Sequence, residues 1–70
     1  MLYQRRYVIH QRVEKLGFNT WEPIEGAFPY EDVRDADMKL AQRFGRFNPR
    51  YCVIRCDFPD GKVPNPVTKE

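Results

Sequence analysis

Seventy residues with 41% hydrophobic and 31% charged content make one small folded domain with a modest core, not a disordered chain. The net charge of +2 argues against a strong nucleic-acid binder. No apolar run reaches membrane-spanning length, and the charged start Met1–Tyr7 lacks the apolar core of a signal peptide, so the sequence predicts a cytoplasmic protein with no membrane association.

Residues 3–14 read as a strand, because Tyr7-Val8-Ile9 favours extended backbone. Tyr3, Tyr7, Ile9 and Val13 share one parity. The other, with Gln4, Arg6, His10 and Arg12, is expected to face solvent or a partner. A turn centred on Gly17 leads to a second strand over 19–24, where Pro23 argues for an edge position and Trp21 is a candidate for the core. The stretch 22–29 is a connection in which Ile24 and Phe28 are expected to tuck under a helix.

The helix is predicted over 33–44. Val33, Ala36, Leu40, Ala41 and Phe44 fall on one helical stripe. Asp32 is the natural N-cap, Asp35 and Lys39 form an i,i+4 pair in the favourable order, and Gly45 suits the position after the last turn. Asn48-Pro49 marks a turn. Tyr51–Phe58 then gives the clearest strand, with Cys52, Ile54, Cys56 and Phe58 on one side and Tyr51, Val53, Arg55 and Asp57 on the other. The proline-rich 64–70 reads as a flexible tail beyond a domain spanning 1–63.

The expected fold is α+β, in the order ββαβ: a small, mostly antiparallel three-stranded sheet with one helix packed on one face. One helix cannot cover both faces. The second, expected to carry Val8 and Val53 among arginines, is left for solvent, a homodimer or another protein.

Chemistry-bearing residues are sparse. Cys52 and Cys56, four apart on one strand, would lie about 13 Å apart, too far for a disulfide. With the single histidine, His10, they make a poor metal set, and His10 reads as a surface or interface imidazole. There is no serine and no glycine-rich phosphate loop. The sequence thus predicts no enzyme, cofactor, metal or small-molecule substrate.

Charge is unevenly distributed. Glu22, Glu25, Glu31, Asp32, Asp35 and Asp37 stand against Arg34 alone, whereas Lys39, Arg43, Arg46, Arg50 and Arg55 run without an acid among them. Such polarity orients partners, and Tyr and Arg often anchor interfaces. The leading expectation is a non-enzymatic accessory protein, an adaptor or inhibitor, that docks a partner protein through Arg6, Tyr7, Tyr30, Arg46, Phe47, Arg50 and Tyr51, with a homodimer as one form. The alternative is a nucleic-acid-binding module in which Arg43, Arg46, Phe47 and Arg50 combine phosphate contact with stacking. Its premise is convergence of the arginines on one face.

The layout of Tyr7-Val8-Ile9, Trp21, an Ala36-containing helix and Tyr51-Cys52-Val53-Ile54-Arg55 resembles short proteins of phages and mobile elements over about residues 7–56. Some proteins of that size and shape block host defence complexes by binding them. The resemblance has no diagnostic motif and transfers no functional residue. It implies an accessory binder.

Overall fold

The computed structural model describes residues 2–68. Strand β1 (Tyr3–Lys15) turns into β2 (Phe18–Pro23), helix α1 (Val33–Phe44) follows, and β3 (Tyr51–Pro59) completes a sheet of order β2-β1-β3. Both pairings are antiparallel and the helix packs on β1 and β3, so the α+β ββαβ arrangement stands.

The helix begins and ends where its capping residues dictate. Asp32 is extended (φ −119°, ψ 130°), and its Oδ1 accepts from the Arg34 N–H at 2.8 Å. Gly45 takes φ 88°, a conformation that disfavours any side chain, and its N–H donates to Ala41 O at 3.2 Å. Asn48 then closes the loop. Its Nδ2 donates to Phe44 O, its Oδ1 accepts from Arg50 N–H, and its carbonyl accepts from Tyr51 N–H. Ala36 and Leu40 are buried and Ala41 and Phe44 half-buried, but Val33, expected on the stripe, is exposed at the first helical position.

The β1–β3 register decides what each face contains. Ile9 pairs with Val53, and Val8 with Ile54. Paired residues of antiparallel strands point to the same side. One face therefore holds Tyr7, Ile9, Tyr51 and Val53; the other holds Val8, His10, Cys52, Ile54, Cys56 and Phe58. The expectation that Val8 and Val53 share a face is corrected: they lie on opposite faces. The helix takes the Ile9 face, where the Phe44 ring stacks on Tyr51 with centroids 3.8 Å apart and planes 11° from parallel.

Val8, facing away from the helix, is nonetheless 0% exposed. Its cover is the end of the chain. After Pro59, Asp60 N–H donates to Leu2 O, and the backbone leaves the β3 side to reach the opposite flank of β1, where Val67 N–H donates to Ala27 O at 2.8 Å. With the helix on the Ile9 face, this return crosses the Val8 face. Val67 and Ala27 belong to one buried cluster with Val8, Ile9, Ile24 and Leu40. The segment set apart in the sequence as 64–70 thus supplies a core residue at 67; Lys69 and Glu70 lie outside the described residues.

His10 is also corrected. It is buried, on the Val8 face between Cys52 of β3 and Pro23 of β2, and its Nδ1–H donates to Val8 O at 2.9 Å. That bond fixes the tautomer and satisfies one ring nitrogen locally.

If Val67 closes the second face, Val67→Ala removes buried carbon from the core and should lower the unfolding free energy by about 1.5 kcal/mol in urea titrations. An unchanged midpoint would show that the return segment contributes no stability.

Candidate functional site

The pairing of β1 is uneven at its two ends. With β3 it stops at Gln11↔Tyr51, but with β2 it continues to Lys15↔Phe18. The β1–β2 hairpin therefore projects past β3, joined there by the 45–50 loop, whose Arg50 O accepts from Arg12 N–H at 2.8 Å. This end of the sheet carries several uncovered apolar side chains: Leu16 is 97% exposed, Phe47 92%, Phe18 73% and Trp21 44%. Trp21 is thus no core residue. It pairs with Arg12, one residue beyond the last β1 position that pairs with β3.

Leu16 is the most unusual of them. Leu16 and Gly17 both adopt positive φ, 51° and 83°, which makes a two-residue turn matched to strand twist. Glycine fits without cost, but leucine is held in the left-handed region at a cost of about 1–2 kcal/mol. Its side chain recovers nothing from the fold, because it projects into solvent.

Beside the hairpin, Arg12, Glu14, Asn19 and Arg50 line a polar cleft of about 240 Å³. Among the described residues, Arg12, Arg46 and Arg50 form no ion pair. Three of the six acids of the 22–37 stretch are engaged within the fold. Glu22 bridges Lys15 (2.9 Å), Glu31 bridges Arg6 (3.5 Å) and Asp32 caps the helix. The charge separation along the sequence is therefore softened in the folded molecule.

The residues expected to form one interface divide between two places. Arg6, Tyr7 and Tyr30 lie together toward the chain's beginning: Tyr7 and Tyr30 exchange backbone hydrogen bonds of 2.7 and 3.0 Å, and the Arg6 side chain is largely covered. Arg46, Phe47, Arg50 and Tyr51 lie toward the hairpin end. Tyr51 supports Phe44 and is half-buried, while Phe47 stands free. The arginines of the nucleic-acid alternative have separate settings. Arg43 sits over the Phe44 ring at 5.1 Å, Arg46 flanks a groove with Arg34, Asp37 and Met38, and Arg50 lines the hairpin cleft. They share no cleft. Leu16 and Phe18 were not singled out from sequence, and Arg12 was named only within a face expected toward solvent or a partner; the Leu-Gly dipeptide at a hairpin turn was the available signal.

On the helix side, Phe28, Tyr30, Met38 and Lys39 line a shallow groove of about 370 Å³. Phe28, expected beneath the helix, is half-exposed and packs on the Tyr30 ring at 4.9 Å. Among the described residues no three metal-ligating side chains come together, and no helix is long and apolar enough to cross a membrane. The chain matches no protein-family model, no curated protein and no solved structure.

Both cysteines are free, and burial pushes both thiols above their ordinary value; at Cys56 the Asp57 charge adds to it. Cys56 Sγ also lies 3.8 Å from Ile54 O. These are conditions that suppress thiolate chemistry. Burial raises the Tyr30 hydroxyl as well, with Arg43 opposing and Asp35 adding. A raised value means the fold favours the protonated form. The resulting stability is complete below the unfolded-chain value and is lost as pH rises through the folded one. Urea titrations at about pH 7 and about pH 10 should show lower stability at the alkaline end. Cys52→Ala/Cys56→Ala should flatten that dependence, and an identical slope in the variant would contradict the assignment.

Proposed function

We propose that the protein acts by binding: it is a small accessory protein, an adaptor or inhibitor, that docks a partner protein with the hairpin end of its sheet. The observation that carries this reading is Leu16, a leucine displayed in full at a turn where it costs stability. A strained residue retained without benefit to the fold is best explained by contact outside it. Phe18 adds a second exposed apolar side chain and Phe47 a third on the adjoining loop, with Arg46 next to it in sequence, while Arg12 and Arg50 line the cleft beside the hairpin; among the described residues none of these three arginines forms an ion pair. Buried aromatic and aliphatic anchors within a polar rim are how specific interfaces obtain most of their affinity. Of the residues expected from sequence, Arg46, Phe47 and Arg50 remain in the proposed surface. Arg6, Tyr7 and Tyr30 belong to a separate region, and Tyr51 supports the loop from below.

The test separates stability from binding. Leu16→Asn creates Asn-Gly, the preferred dipeptide for this turn, and should raise stability by about 1 kcal/mol. The same change, and Phe47→Ala, should weaken a partner captured from the native cells and reconstituted in pure form by roughly ten-fold or more. Leu2→Ala, at the far end, is the control and should change little. Undiminished binding by both variants would overturn the reading. A salt-dependent mobility shift with DNA or RNA oligonucleotides, lost in Arg46→Ala/Arg50→Ala, would replace it with the nucleic-acid alternative.

A further inference from the structure

The outer edge of β3 is open, and its chemistry is self-complementary. In β1–β3 pairing, Arg12 N–H bonds to Arg50 O and Asp60 N–H to Leu2 O. The even-numbered residues of β3 therefore direct their backbone groups at β1, and the odd-numbered ones direct theirs outward. Among the described residues, no hydrogen bond engages the outward N–H groups of Val53, Arg55 and Asp57. At the ends of the strand the pattern closes: Tyr51 N–H is taken by Asn48 O, and Pro59 has no N–H to offer. What remains is a short edge of unbroken register in which Val53 is followed by one charge of each sign, Arg55 and Asp57, so that pairing there is governed by how those charges meet.

We infer that this edge joins a second copy of the chain, β3 against β3 and antiparallel, with the two-fold axis at Cys56. The charges select this register. With the axis at Cys56, Arg55 lies opposite the partner's Asp57, and Asp57 opposite the partner's Arg55. An axis at Arg55 or at Asp57 sets like charges against each other, and an axis at Ile54 leaves both charges without a cross-strand counter-charge. Arg55 and Asp57 are well placed to respond, being 56% and 46% exposed and only loosely bridged to each other at 3.9 Å.

The same register satisfies the backbone. Arg55 and the partner's Asp57 exchange hydrogen bonds, and Val53 N–H meets the carbonyl of the partner's Pro59, a residue that can accept but not donate. Ile54 then packs beside the partner's Phe58 on the Val8 face, extending the apolar surface there. The result is a continuous six-stranded sheet, β2-β1-β3 followed by its two-fold image, with both helices on one side. The two hairpin ends point in opposite directions, so this contact leaves the proposed docking surface free and stands or falls separately from it.

The experiment is a charge swap followed by sedimentation or light scattering over a range of concentrations. The unaltered chain should dimerise. Arg55→Asp and Asp57→Arg should each weaken the dimer roughly ten-fold or more, because each turns two attractive pairs into repulsive ones. Mixing the two variants should restore association, and so should Arg55→Asp/Asp57→Arg in one chain. Circular dichroism confirms that each variant is folded. An unaltered chain that stays monomeric at about millimolar concentration, a dimer indifferent to either reversal, or folded variants that do not associate when mixed, would each overturn the inference.

Discussion

The structure depends on a strand buried on both faces. β1 is flanked by β2 and β3, and its neighbouring residues Val8 and Ile9, which point in opposite directions, are both almost wholly removed from water. A sheet so constituted needs two covers. The helix supplies one through Leu40 and the Phe44–Tyr51 stack, and the return of the chain to Ala27 supplies the other through Val67. A domain of this size has little apolar material to spare, so a single valine near the chain's end carries weight out of proportion to its size.

Because the core lies at the middle of β1, the rest of the sheet is free for other purposes. The hairpin extends beyond both covers, and its exposed Leu16, Phe18 and Trp21 contribute little to the interior. The outer edge of β3 is likewise left unpaired. Each feature has a consequence beyond the fold: a leucine at positive φ carries strain in one case, and an open strand edge is a template for pairing in the other. Neither requires a pocket or a reactive group.

Much of the local structure was legible in the sequence. The helix bounds followed from Asp32, the apolar stripe and Gly45, because capping and periodicity act within a few residues. The strands were legible from composition and alternation. How β1 and β3 align was not, since alternation within a strand says nothing of its register with a distant one. The grouping of Val8 with Val53 failed for that reason. His10 was placed at the surface for a different one: the proline-rich 64–70 gave no sign that the chain returns to bury Val67 and cover that face. Trp21 was misjudged because a large aromatic at strand parity looks like core wherever the covering layer ends. Of the candidate site, Arg46, Phe47 and Arg50 were legible as a basic-aromatic loop. Its neighbour, the hairpin tip, was not, because an exposed leucine beside a turn glycine gives no sign of strain until φ is known.

Amide hydrogen exchange, followed residue by residue at low and high protein concentration, tests the division between a closed core and an open edge most directly. The amides of Val8 and His10 should exchange slowest at every concentration, while those of Val53, Arg55 and Asp57 should exchange rapidly in dilute solution and become protected as the chain is concentrated. Exchange at these three β3 amides that is already slow in dilute solution, or that stays fast at every concentration, would contradict it.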